Sequence, residues 1–122
     1  MKKTETPATS STSYLVIGNW KCNKTIDQAR AWFDQFRRGY RPVDGVEVVL
    51  APPHLLLAQL GEYLEQSKIE NFSLAAQDIS PFPLGSYTGA TAADMVKPIC
   101  RYVIVGHWER RTYFHETSQD AV

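Results

Sequence analysis

Short apolar runs alternate along this chain with longer segments in which apolar residues recur at helical spacing. Four such runs, rich in β-branched and aromatic residues, span residues 14–20, 46–51, 72–77 and 102–105. Runs of this length and composition are typical of buried strands. The sequence therefore predicts four strands.

The segment after the first strand predicts a helix. Thr25 and Gln28 have the spacing of a capping box, which marks the start of a helix. Gly39 and Pro42 mark its end. Its apolar stripe consists of Ile26, Ala29, Phe33, Phe36 and Tyr40. This stripe predicts a helix with one face against a core.

Two further helices are predicted after the second and third strands. One begins at Pro52 and Pro53, because proline suits the first turn of a helix. Its predicted core face is Leu57, Leu60 and Leu64. The other begins at Thr91, with Asp94 completing its cap. It carries Ala92, Met95, Val96 and Ile99 and is interrupted near Pro98.

The four strands begin near positions 14, 46, 72 and 101, so a strand and a helix recur every 26 to 32 residues. This spacing is that of βαβ units and predicts an α/β fold with a parallel sheet and right-handed crossovers. Thr117 and Asp120 have the spacing of another helix cap.

Polar and titratable residues follow the first and fourth predicted strands. Lys21 and the amide of Asn19 follow the first, and His107 follows the fourth with only a glycine between. Taken singly, Lys21 is typical of a surface charge, and Glu109 of a solvated turn with ion-paired charges. Because α/β enzymes place their chemistry at the carboxyl ends of parallel strands, the lysine and the histidine together indicate a site for an anionic small molecule.

Residues 78–90 lack helical or strand periodicity and contain turn-forming prolines and glycines. A loop of this length inside an α/β domain is usually functional, most often in binding. The alternative is a disordered insertion, and the aromatic residues Phe82 and Tyr87 favour the binding interpretation.

Composition narrows the class of protein. The chain has 122 residues, 43% of them apolar, with 13 basic and 13 acidic residues and a formal net charge of zero. These values predict one domain and no nucleic-acid or membrane partner. Cys22 and Cys100 predict free thiols in a reducing cytoplasm. Residues 1–13 predict a disordered, polar tail without the apolar segment of a signal peptide.

Four segments of this sequence closely resemble the triosephosphate isomerase family. They are Gly18-Asn-Trp-Lys-Cys-Asn23, Ala76-Gln-Asp-Ile-Ser-Pro81, Gly85-Ser-Tyr-Thr-Gly89 and Val105-Gly-His-Trp-Glu-Arg-Arg111, and they occur in the family's order and spacing. The resemblance implies a TIM (β/α)8 barrel, which takes ~250 residues when whole. It implies that residues 14–122 form the amino-terminal half, a partial barrel of about four βα units.

The resemblance also implies an activity and a set of site residues. The family interconverts dihydroxyacetone phosphate and glyceraldehyde 3-phosphate in glycolysis and gluconeogenesis, as a cytoplasmic homodimer without cofactor or metal. His107 matches the electrophile, which in this family is a neutral imidazole at a helix N-terminus, and the residues after it are predicted to form that helical turn. Asn19 and Lys21 match substrate-binding residues, and Lys21 and Glu109 complete the implied catalytic set with His107. Thr88 lies in the loop that enters the partner subunit.

Some positions depart from the family pattern. Trp108 stands where the family has a serine next to the catalytic base, His115 where it has a glycine, and Ala90 where it has a glutamate. The family's carboxylate base, lid and main phosphate-binding amides follow its sixth and later strands, whereas four strands are predicted here. We therefore predict an amino-terminal half without measurable isomerase activity on its own.

Two alternatives to an enzyme half stay open. One is a non-catalytic half barrel that acts in self-association or complementation, which Trp108 and Ala90 favour. The other is an unrelated doubly wound domain that binds a phosphate ester. Whether or not the half barrel is catalytic, its first and fourth strands would be open edges and its interior side chains would face water. The chain is therefore predicted to be marginally stable or to associate. His54 is predicted to lie on the surface, and Cys100 in the core.

Overall fold

The computed structural model describes residues 14–122, so the predicted tail at residues 1–13 lies outside the described residues. The elements in chain order are β1 (Tyr14–Asn19), α1 (Ile26–Gly39), β2 (Val46–Ala51), α2 (His54–Ser67), β3 (Phe72–Ala76), α3 (Ala93–Val96), β4 (Tyr102–Val103) and α4 (Trp108–Tyr113). Within the described residues, every helix is too short or too polar to cross a membrane.

The four strands form a parallel sheet in the order β1-β2-β3-β4. Each strand therefore pairs with its neighbour in sequence, as the βαβ spacing predicts. This order confirms the partial barrel of α/β class, with the carboxyl ends of all four strands at the same edge of the sheet.

The predicted capping box of α1 is confirmed. The Thr25 hydroxyl accepts the N–H of Gln28 at 3.3 Å, and the Gln28 side-chain oxygen accepts the N–H of Thr25 at 2.9 Å. Phe33 and Ala29 are buried as predicted, with Phe33 at the centre of an aromatic cluster. Ile26 is 40% exposed, because it occupies the first position of the helix, where no preceding turn covers it.

The main core lies between the helices and the outer face of the sheet. Leu50 and Leu74 from the strands pack there with buried leucines of α2, namely Leu56, Leu57 and Leu60. Leu64, predicted for the same face, is half-buried against this core. Leu56 was not predicted, because α2 is apolar over more than one stripe.

The prediction that the barrel-interior side chains would face water is only partly correct. Val49, Ala51 and Ala75 form a second buried cluster, against which Tyr102 and Ile104 pack. These side chains are small, so side chains on the neighbouring strands are sufficient to bury them. As predicted, the first and fourth strands are both open edges of the sheet. Val16 and Ile17 on β1 are 54% and 52% exposed, and Val103 on β4 is 39% exposed.

Three predicted elements are shorter or start later than expected. The strand β4 has two residues rather than four, because its partner β3 ends at Ala76, which pairs with Val103. The short helix α3 begins at Ala93 without a side-chain cap, so Thr91 was wrongly assigned as its cap. Thr117 and Asp120 make the reciprocal bonds of a cap at 2.6 Å and 3.3 Å, but the residues after them form only a turn.

Candidate active site

A cleft of about 280 Å³ lies at the carboxyl edge of the sheet. Asn19 and Lys21 reach it from the end of β1, and His107 and Glu109 reach it from the segment after β4. All four side chains that the sequence predicts for the substrate site therefore line the same cleft. Thr88 lies apart from them, in a second cavity beside the loop at 78–90.

Lys21 is held in a backbone conformation that non-glycine residues rarely adopt. Its φ is +56°, in the left-handed region where strain is typical of functional sites. The Asn19 side-chain oxygen accepts the N–H of Lys21 at 2.8 Å. The side-chain amide of Gln77 donates to the carbonyl oxygens of Lys21 and Ala51 at 2.9 Å and 2.8 Å. Gln77 thus fixes the turn at Lys21. In the sequence, the only indication of this role was the position of Gln77 at the end of the third predicted strand.

An ion pair joins the two sides of the cleft. Lys21 Nζ lies 2.5 Å from Glu109 Oε1, with side chains 47% and 28% exposed. A pair this exposed contributes little to the free energy of folding, since water screens both charges. Its main consequence is positional, because the carboxylate holds the ammonium group on the cleft wall.

His107 is the N-cap of α4, as predicted for a helical turn directly after the histidine. Its Nδ1 accepts the N–H of Glu109 at 3.1 Å. The Glu109 carboxylate lies 3.7 Å from the same Nδ1, which is too long for a hydrogen bond. Because Nδ1 acts as an acceptor, the neutral ring carries its hydrogen on Nε2.

The turn that presents His107 depends on Gly106 and Arg111. Gly106 has a φ of +64°, and a Cβ there would lie 2.7 Å from a nitrogen of Arg111. The Arg111 side chain donates to the Gly106 carbonyl at 2.7 Å and to the Ser118 hydroxyl at 2.8 Å. Arg111 therefore pins the backbone immediately before the imidazole.

A second charged cluster lies between the cleft and the cavity beside the loop at 78–90. Arg110 Nε contacts the carboxylates of Asp78 at 3.2 Å and of Glu116 at 2.8 Å. Burial raises the pKa of Asp78 although the Arg110 guanidinium opposes that shift. For Arg110 taken singly, the sequence predicted a solvated turn with ion-paired charges. No local signal connected the segment after β3 with α4 through Asp78 and Arg110.

His54 contradicts its prediction as a surface residue. Its ring is half-buried, Nε2 lies 2.9 Å from the Asp78 carbonyl oxygen, and Nδ1 lies 3.1 Å from the Thr91 hydroxyl. Both partners are distant in sequence, so no local signal identified them. Cys22 is exposed, whereas Cys100 is half-buried against the core, and burial raises the pKa of its thiol.

Trp108 packs beside the histidine rather than into the cleft. Its ring lies 6.2 Å from the His107 ring at 27° and is also near Tyr113. The indole is 60% exposed. No group of three or more His, Cys, Asp or Glu side chains within residues 14–122 is arranged to hold a metal ion.

Comparison with known proteins assigns the family. Residues 14–122 match the family model described as triosephosphate isomerase. The chain belongs to the triosephosphate isomerase family. This agrees with the resemblance that the four sequence segments indicate.

Similar members of the family come from diverse bacteria. Triosephosphate isomerase of Thermus thermophilus is 41% identical over 105 residues, which cover 85% of this chain. The enzyme of Photorhabdus laumondii is 40% identical over 106 residues, and that of Dehalococcoides mccartyi strain CBDB1 is 37% identical over 105, each covering 86% of this chain. The matched region is 40% of the length of each relative.

Proposed function

We propose that this chain supplies one half of the catalytic site of a triosephosphate isomerase, which interconverts dihydroxyacetone phosphate and glyceraldehyde 3-phosphate. The observation that carries the proposal is that Lys21 and His107, from the first and last strands, line the same cleft. An ammonium group and an imidazole in one cavity suit a substrate with a phosphate and a carbonyl.

In this proposal His107 is the electrophile. The isomerisation removes a proton next to a carbonyl, so negative charge develops on an oxygen in the enediolate. A hydrogen-bond donor aimed at that oxygen stabilises the transition state by ~3 kcal/mol. The bond from the Glu109 N–H to Nδ1 leaves Nε2–H free to donate, which matches the neutral imidazole of the family.

Lys21 attracts the anionic substrate, and its neighbours keep it in place. Its ammonium group is half-exposed and paired only at Glu109 among the described residues. A phosphate that enters the cleft replaces part of this pairing with a charge-assisted bond of its own. Asn19 preserves the left-handed turn through its bond to the Lys21 N–H.

Glu109 is a catalytic-site residue in this proposal, but not the base. Its carboxylate is already engaged with Lys21 at 2.5 Å. In the family the base follows the sixth strand and the phosphate-binding amides follow later ones, whereas the described residues form four strands. We therefore expect no measurable isomerase activity from the 122-residue chain by itself. The chemistry that we propose requires no cofactor and no metal.

A coupled isomerase assay tests this proposal. The chain would be measured alone and after mixing with the carboxyl-terminal 60% or so of the Thermus thermophilus relative, the region outside its 40% match. Turnover is expected only in the mixture, and His107→Gln or Lys21→Met should reduce it about 100-fold or more, as for loss of an electrostatic donor. Asp27→Asn, on the exposed face of α1, is the control. Normal turnover from the chain alone, or from the His107→Gln mixture, would contradict the proposal.

The family also suggests where and in what assembly the protein acts. We propose a cytoplasmic homodimer that functions in glycolysis and gluconeogenesis, with the loop at 78–90 docking Thr88 beside the partner subunit's cleft. Phe82 and Tyr87 stack with ring centroids 4.6 Å apart, which supports an ordered loop suited to docking. Ala90 replaces the glutamate of the family pattern, so this contact is expected to be weaker than in relatives.

A second candidate function is a non-catalytic half barrel that acts by self-association or by complementing a separate half. The exposed apolar edge at β1 supports it, since Val16 and Ile17 are about half-exposed and unpaired strand edges promote association. The mixing assay separates the two candidates, because this module would bind a second half without restoring turnover that depends on His107.

A further inference from the structure

His54 joins three parts of the chain that are separate in sequence. It is the first residue of α2, and its two ring nitrogens reach Asp78, two residues after β3, and Thr91, two residues before α3. A carbonyl oxygen can only accept, so Nε2–H donates to Asp78. In the neutral ring, Nδ1 then accepts the Thr91 hydroxyl hydrogen. The neutral imidazole therefore satisfies both partners at once.

These two contacts hold together the two ends of the loop at 78–90. We call this part of the loop its neck, and it consists of residues 78–80 together with Thr91. Next to them, the Ser80 N–H donates to the Thr91 carbonyl at 2.8 Å, so both ends of the loop are tied together. At the tip, the stacked rings of Phe82 and Tyr87 differ by only 10° in orientation. The neck is thus the one half-buried part of a loop whose residues 81–90 are all exposed.

The same neck is connected to the catalytic histidine. Asp78 presents its carbonyl to His54 and its carboxylate to Arg110 at 3.2 Å. Arg110 lies in the first turn of α4, where its N–H donates to the His107 carbonyl at 3.0 Å. His54 and Asp78 line both the catalytic cleft and the cavity beside the loop.

We propose that His54 is a positioning residue that holds the neck of the loop and, through Asp78 and Arg110, the start of α4 that carries His107. It acts on the reacting imidazole through Asp78 and Arg110 rather than by direct contact. The proposal rests on the proposed function only in taking His107 as the electrophile, and the test below requires no turnover.

Hydrogen exchange of the full chain tests the proposal. In His54→Ala, the amides of residues 79–91 and of residues 107–112 should both exchange roughly fivefold faster, as expected for a lost buried hydrogen bond. His54→Gln should restore protection in both segments, because its longer side chain returns an N–H donor to the Asp78 carbonyl. His54→Asn should not, since its shorter amide reaches only toward Thr91. Leu55→Ala, at the neighbouring and 79% exposed position of α2, is the matched control.

A spectroscopic readout separates positioning from general loosening. The chain has three histidines, so the ring-proton resonances of His107 can be followed individually by NMR. They should shift in His54→Ala and return in His54→Gln. The proposal would be overturned if faster exchange in His54→Ala were confined to the loop, or if the His107 resonances did not shift. It would also be overturned if His54→Gln failed to restore those resonances, or if Leu55→Ala had an equal effect.

Discussion

Lys21 Nζ and Glu109 Oε1 lie 2.5 Å apart although 88 positions separate the two residues in sequence. The pair connects the turn after β1 to the first turn of α4, and thus the segments that follow the first and fourth strands. It also neutralises the cationic group that faces the cleft. The strength with which the cleft binds an anion should therefore depend on Glu109.

Replacement of Glu109 should strengthen anion binding. In Glu109→Gln, the charge of Lys21 is no longer compensated, so inorganic phosphate should bind roughly fivefold more tightly, which corresponds to about 1 kcal/mol for unit charges ~4 Å apart in water. Isothermal titration with phosphate at low ionic strength measures the change. Asp27→Asn removes an equally negative but remote charge, 95% exposed, as a control. Weaker binding in Glu109→Gln, or the same gain in the control, would show that the cleft does not bind the anion.

A side chain at Gly106 should destabilise the turn before His107. Gly106→Ala places a methyl group 2.7 Å from an Arg111 nitrogen and 3.3 Å from Ala121 at a φ of +64°, which should cost about 1–3 kcal/mol. Gly39→Ala is a matched control, because a Cβ there contacts nothing within 4 Å and alanine in a helix is favoured by about 0.5–1 kcal/mol. Urea unfolding of both variants should therefore give changes of opposite sign.

A buried carboxylate near the amino ends of the strands, opposite the cleft, should make stability depend on pH. Glu47 is 4% exposed and accepts hydrogen bonds from Ser73, Tyr102 and Arg101 at 2.6, 2.6 and 3.0 Å. Burial raises the pKa of Glu47, but these donors together outweigh burial and leave the pKa below its ordinary value of 4.5. The folded state thus binds the proton less tightly than the unfolded state does.

The sign of the pH dependence follows from this depressed pKa. The stabilising contribution of Glu47 is complete above its ordinary pKa and is lost as pH falls through the lower folded-state pKa. Glu47→Gln should reduce the free energy of unfolding at about pH 7 by about 1–2 kcal/mol and flatten its decline in acid. Urea unfolding in steps from about pH 7 to about pH 3 measures both effects. An unchanged acid profile in Glu47→Gln would assign the decline to other groups, and exposed Glu65→Gln is the control.

The open edge of the sheet at β1 should make the chain associate. At β1, Leu15, Val16 and Ile17 are 43%, 54% and 52% exposed, and the backbone of an edge strand offers unpaired hydrogen-bonding groups. Sedimentation velocity of the 122-residue chain should show species larger than a monomer, and Ile17→Lys should shift them toward the monomer. Leu55→Lys adds the same charge on α2 as a control. A wild-type monomer that unfolds cooperatively would refute this prediction.

Local signals in the sequence predicted the elements that local interactions form. The capping box at Thr25 and Gln28 involves residues three positions apart, so its spacing alone identified the start of α1. Thr91 shows where such signals fail. It has the residue type and spacing of a cap, but its hydroxyl bonds to His54, 37 positions earlier, and the helix begins without it.

The candidate site was predicted in its members rather than in its contacts. Asn19, Lys21 and His107 were identified because they follow strands at one edge of a parallel sheet, whereas Glu109 was identified through the family resemblance. The supporting roles of Gln77 and His54 were not predicted, because each depends on carbonyl groups brought near by the pairing of β2 with β3 and by the path of the loop.

By itself, the sequence determined the alternation of strands and helices and the edge at which the chemistry collects, because apolar periodicity and strand polarity are properties of short segments. Only the tertiary structure decided which polar groups meet there. Pairs such as Lys21 with Glu109 and Asp78 with Arg110 depend on the curvature and register of the whole sheet, and no short segment carries that information.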